Sequence, residues 1–138
     1  MIEVGLKKPT RRKALAEGKI FLPRKVITMI RKNQIPKGDV LKAAEIAGLL
    51  ALKNTFLVIP HCHPVKITSG ALAFSLNQDS VTVRCEVTGF DRTGFEMEAL
   101  HAVMIALLTI YDMCKFSKEK MKMGEIVLVR KTGGTSNH

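Results

Sequence analysis

The chain has 138 residues, 46% of them hydrophobic, which is enough for a single domain with a sizeable core, and its formal charge is +10. Such a charge implies an anionic partner, but with no Trp, one Tyr and no aromatics interleaved with the basic residues, base stacking on a nucleic acid is poorly supported. Three cysteines without Cys-x-x-Cys spacing read as reduced thiols of a cytoplasmic protein; the apolar run from Ala102 to Ile110 is too short for a membrane span, and the basic amino terminus has no export-signal apolar segment behind it.

In chain order, Met1 to Gly18 is polar and dense in Lys and Arg, centred on Lys7-Lys8-Pro9-Thr10-Arg11-Arg12-Lys13. It reads as flexible when no anion is bound, with residues 1–9 as a tail and Arg12 as a candidate phosphate contact. Lys19 to Leu22 is expected as a short strand, and Pro23 opens a helix from Arg24 to about Lys32. A second helix, roughly Asp39 to Lys53, is rich in Ala and contains Gly48, small residues that allow close packing. Asp39 is its expected N-cap, and Lys37 lies beside that terminus in a position suited to an anion.

Ile59-Pro60-His61-Cys62-His63-Pro64 is a rigid loop between two prolines. Zinc is disfavoured there, because adjacent residues rarely point at one ion and no further Cys or His has suitable spacing. A pocket-lining loop whose Cys62 and His63 face a substrate is the better reading. Lys66 to Ser75 and Ser80 to Thr88 form paired strands, the second alternating Val81, Val83, Cys85 and Val87 with polar residues. Thr93-Gly94-Phe95-Glu96 has a capping-box pattern, which gives Glu96 a structural rather than a catalytic role.

Phe95 to Lys115 is a long helix, apolar on most of its circumference and therefore expected to be buried. A carboxylate at Asp112 among such neighbours needs a partner, and Lys115 stands three residues on, within reach. Spacing alone leaves two readings of this pair: a site of chemistry, or a structural ion pair at a helix end. A charged turn over Lys118 to Lys122, a short strand over Glu125 to Arg130 and the tail from Lys131 to His138 complete the chain. The glycines after Lys131 can offer backbone N–H groups to phosphate or simply fray.

Taken together, Lys37-Gly38-Asp39-Val40, Ile59-Pro60-His61-Cys62-His63-Pro64, Thr93-Gly94-Phe95-Glu96-Met97-Glu98-Ala99-Leu100, Leu108-Thr109-Ile110-Tyr111-Asp112-Met113-Cys114-Lys115 and Lys131-Thr132-Gly133-Gly134 resemble the molybdenum cofactor biosynthesis protein C family. Its members are cyclic pyranopterin monophosphate synthases. The resemblance runs from about Thr10 to Ser136. It implies a single α+β domain with a ferredoxin-like antiparallel sheet and packed helices, assembled as a hexamer of three dimers. It also implies the reaction: the cyclised dihydro-GTP rearranges to cyclic pyranopterin monophosphate and releases pyrophosphate.

On the matching positions the resemblance makes Asp112 and Lys115 catalytic and puts Lys37 and Lys131 in the pocket. It gives His61, Cys62, His63, Met97 and Glu98 to the substrate and Arg12 to the triphosphate. No metal site or cofactor is implied, and Mg²⁺ is left open. His61 stands where the family usually has leucine, and Thr135 replaces a common lysine. A lysine tuned by an adjacent carboxylate can move the protons that opening and reclosing the ring system require, while fixed cations stabilise the leaving pyrophosphate. The alternative is a basic, non-enzymatic RNA-binding protein. Finally, Glu98 and Asp112 lie fourteen residues apart, about 21 Å along a helix, so if both meet the substrate, as the resemblance implies, the simplest geometry is a second subunit's helix running antiparallel to the first.

Overall fold

The computed structural model describes residues 1–134. Its elements are strand β1 (Thr10–Phe21), helices α1 (Arg24–Arg31) and α2 (Val40–Val58), strands β2 (Ile67–Leu76) and β3 (Ser80–Asp91), helix α3 (Glu96–Cys114) and strand β4 (Lys122–Thr132). A single 3₁₀ turn, Lys115–Ser117, follows α3. The four strands form one antiparallel sheet in the order β2-β3-β1-β4, the ferredoxin-like arrangement.

The longest departure from the sequence reading is β1. Thr10 to Gly18 is no tail: it is the first part of a strand in the middle of the sheet, paired with β3 from Thr10 opposite Asp91 to Phe21 opposite Ser80. Its alternation is real but muted. Ala14, Ala16, Gly18 and Ile20 face the helices and are buried, while Arg11, Lys13 and Glu17 occupy the other face. The inward residues are small because α3 lies directly over them; a Cβ at Gly18 would press into Val103 and Leu107. β4 is likewise longer than the expected Glu125 to Arg130, taking in Lys122 and Thr132.

Helix α2 begins where its cap predicts, with the Asp39 carboxylate accepting from the Lys42 backbone N–H at 3.1 Å. It continues five residues past the expected end, to Val58. Gly48 is buried where α2 meets α3, and a Cβ there would crowd Leu72 and the Ala102 carbonyl. Facing it, Ala99, Ala102 and Ala106 of α3 are fully buried. α3 with its 3₁₀ extension is long and apolar enough to cross a membrane by length and composition alone. Its contacts with α2, β1, β3 and β4 identify it as the core helix.

That helix is not buried all round. Met97, Met104, Leu108, Asp112 and Lys115 recur on one side, and all five are exposed in the single chain. Asp112 was expected among apolar neighbours, but its side chain is 52% accessible. The apolar residues near it in sequence either turn inward, as Ile110 and Met113 do, or share its open strip, as Leu108 does.

Candidate active site

Two groups of the expected residues assemble, one at each end of α3. At the amino-terminal end, Lys131 on β4 reaches across β1 to the first turn of α3, its Nζ 2.9 Å from Glu96 Oε1, with both side chains mostly covered. Arg12, on β1 between them, donates from Nε to the Asp91 carbonyl at 3.0 Å and from its terminal amine to the Arg92 carbonyl at 3.2 Å. Arg12, Glu96 and Lys131 line a polar cavity of about 140 Å³ together with Lys7, Gly94 and Gly133. Gly133 and Gly134 both have positive φ, and side chains there would collide with the Arg11 carbonyl and the Arg12 guanidinium.

Glu96 therefore has a role other than the one its sequence pattern suggests. The helix starts at Glu96 with Phe95 as N-cap and no side-chain cap, so the Thr93 capping box does not form. Burial on its own would raise the Glu96 carboxyl. The Lys131 hydrogen bond, its own backbone N–H and the charges of Lys131 and Arg12 outweigh this and hold it below the usual carboxylate value.

One turn into the helix, Glu98 is 2% exposed. Cys62 donates its thiol to Glu98 Oε2 at 3.5 Å, and Oε1 has no hydrogen-bond partner among the described residues. Burial holds the Glu98 carboxyl above its ordinary value. Burial and the Glu98 charge likewise push the Cys62 thiol up to about 11, so it stays a neutral donor and is no nucleophile at neutral pH. A buried polar oxygen left unpaired costs about 1–3 kcal/mol, so Oε1 is open to a hydrogen-bond donor. His61 and His63 line an adjoining space of about 610 Å³ that shares Lys7 and Thr93 with the polar cavity. Met97 is exposed and lines neither. Among the described residues, no three His, Cys, Asp or Glu side chains converge on a common metal position.

At the carboxy-terminal end of α3, Asp112 accepts from two lysines. Lys37 Nζ lies 2.9 Å from Oδ2 and Lys115 Nζ 3.1 Å from Oδ1. Lys37 also reaches the Asp112 carbonyl at 3.4 Å, so it closes onto the end of α3 rather than offering its charge at the start of α2. The hydrogen bonds from Lys37 and Lys115 hold the Asp112 carboxyl below its ordinary value. Lysine, carboxylate, lysine is an arrangement that can pass protons while remaining open to solvent and ligand.

Sequence spacing paired Asp112 with Lys115 but gave no hint that Lys37, 75 positions away, completes the triad. Lys7 was passed over as one charge in a basic run. Thr135 lies outside the described residues.

Comparison with known proteins places this geometry in context. The family model described as MoaC family matches residues 1–134. The chain is 47% identical over its whole length to the cyclic pyranopterin monophosphate synthase of Heliobacterium modesticaldum, covering 88% of that protein. It is 49% identical over 91% of its length to the probable cyclic pyranopterin monophosphate synthase of Pyrococcus furiosus, covering 80% of it. A longer relative, the molybdenum cofactor biosynthesis bifunctional protein of Chlorobaculum tepidum, is 44% identical over 99% of the chain, which spans 44% of that protein. With a model matching through residue 134 and relatives this similar across nearly the full chain, the protein belongs to the MoaC family.

Proposed function

We propose that this chain is a cyclic pyranopterin monophosphate synthase of molybdenum cofactor biosynthesis, a lyase converting the cyclised dihydro-GTP to cyclic pyranopterin monophosphate and pyrophosphate. The observation that carries the reading is the pairing of a cationic cavity with a separate lysine–carboxylate triad, both built from the residues the family resemblance singles out. In this mechanism Lys115, steered by Asp112, is the acid and base of the ring rearrangement, and Lys37 fixes the Asp112 carboxylate. Arg12 and Lys131 hold the triphosphate and stabilise the charge that builds on departing pyrophosphate. Glu98, Cys62, His63, His61 and Met97 grip the base end of the nucleotide. No resident cofactor enters this reading.

The two halves lie about 21 Å apart on one helix, too far for one nucleotide within one chain. The exposed strip that joins them, with Met104 and Leu108 at its middle, supports an antiparallel two-fold pairing of α3 helices. Each dimer then has two complete sites, and three dimers form the hexamer. The three free cysteines support a cytoplasmic location. No feature of the site favours the RNA-binding alternative, and the similar proteins named above are synthases.

Supplying purified chain with the cyclised dihydro-GTP tests the assignment. The expected products are the cyclic pyranopterin and one equivalent of pyrophosphate. Intact substrate after many enzyme equivalents, alongside steeply salt-dependent RNA binding, overturns it.

A further inference from the structure

The two carboxylates in the first turn of α3 are held in different ways. Glu96 is matched by the Lys131 ammonium, 2.9 Å away. Glu98, two residues on and 2% exposed, has no lysine, arginine or histidine within ion-pair distance among the described residues; its one side-chain partner is the Cys62 thiol, 3.5 Å from Oε2.

Cys62 is brought to that place by its backbone. Its N–H closes a turn on the Ile59 carbonyl at 3.1 Å, just past the end of α2, and Pro60 and Pro64 stiffen the loop on either side. A thiol has a single proton to donate. The carboxylate is both the nearer and the stronger acceptor, since the other oxygen in reach, the His63 carbonyl, lies 3.7 Å from Sγ. Burial and the Glu98 charge keep that proton on sulfur, with the thiol pushed up to about 11.

A thiol in this place has a chemical consequence. An ammonium would neutralise Glu98, as Lys131 does Glu96, and the carboxylate would have little left to offer a ligand. A neutral, weak donor pins Oε2 without cancelling the charge, and the buried Oε1 stays open.

We propose that Cys62 is a positioning residue that does not itself touch the substrate: its thiol fixes the rotation of the Glu98 carboxyl, so that Oε1 alone takes a hydrogen bond from a ring N–H or amino group at the base end of the nucleotide. The proposal rests on the synthase reading for the identity of that ligand, whereas the link between thiol and carboxyl stands on the geometry of the chain by itself. Cys62 then acts in recognition wholly through Glu98, and the effect of losing it must vanish when Glu98 is gone.

The test measures binding of the cyclised dihydro-GTP by calorimetry to the full chain carrying Lys115→Ala, which by this account holds the substrate without consuming it. Cys62→Ala is expected to weaken binding roughly tenfold there, the scale of one hydrogen bond to a charged group. Added to Glu98→Ala, the same substitution is expected to change affinity by less than about twofold, because nothing remains for the thiol to position. Losses of equal size in the two backgrounds would mean that the sulfur meets the substrate itself and overturn the proposal, as would no loss in the first. A carbon-13 titration of the Glu98 carboxyl reads the link without any substrate. The thiol hydrogen bond lowers this carboxyl, so Cys62→Ala should move its titration to higher pH, and an unchanged titration overturns the link. A parent chain that neither binds nor converts the nucleotide, yet shows that shift, removes the synthase reading and leaves the link standing.

Discussion

Asp112 is an exposed carboxylate held between two ammonium groups, and this position lets a chemical role be told from a structural one by mutation. An exposed ion pair contributes little to folding, so Asp112→Ala and Lys115→Ala should leave the thermal melt within a few degrees of the parent. Both should lower turnover by roughly 10²- to 10⁴-fold, the usual worth of a general acid–base group. A collapsed melt with activity lost in proportion would make the pair structural. Glu98 behaves in the opposite way. Its folded carboxyl titrates above the ordinary value of 4.5, so the stability it contributes is fully present below that pH and is lost as pH rises through the folded value. Glu98→Gln keeps the shape and cannot ionise. Its melting temperature relative to the parent should therefore climb by a few degrees between about pH 4.5 and pH 8, and a flat difference would show that the carboxyl is not perturbed. The sequence made Asp112 and Lys115 visible because three-residue spacing on a helix is local information. It hid Lys37 and the Glu96–Lys131 pair because those contacts join distant parts of the chain.

At the scale of elements, the strongly patterned pieces were the legible ones. β3 alternates valine and polar residues and lies where that alternation puts it, and the Asp39 cap starts α2 as expected. β1 was masked because the helix above it demands alanine and glycine on the inner face, leaving a composition that reads as a basic tail. α3 misled in another way. Its uniform apolarity suggests burial on every side, whereas Met97, Met104 and Leu108 share an open strip with Asp112 and Lys115. In the proposed antiparallel pairing of α3 helices, Met104 and Leu108, at the middle of this strip, would lie nearest the two-fold axis. Leu108→Lys should set two like charges against each other there, at a cost of several kcal/mol. Light scattering should then report a smaller particle and the assay a loss of activity, with the helical circular dichroism retained. A variant of unchanged mass and activity would show that this strip faces solvent in the working enzyme.

For the whole molecule, the proposed mechanism needs both ends of α3. The polar cavity, Glu98 and the histidine loop lie at one end, and Asp112 with its lysines lies at the other, the binding and reacting ends of the proposed site. The separation of Glu98 from Asp112 was legible from helix length; which cations gather at which end was not, since it depends on the pairing of β1 with β4 near the start of α3. The composite site is the central claim, and subunit complementation tests it most directly. Glu98→Ala and Lys115→Ala are each inactive by this account, and are mixed in equal amounts under conditions that exchange subunits. A heterodimer then holds one site carrying both lesions and one carrying neither, so random exchange should restore about a quarter of the parent activity. No activity above that of the separate variants, with exchange confirmed by mass, would contradict a site shared between subunits.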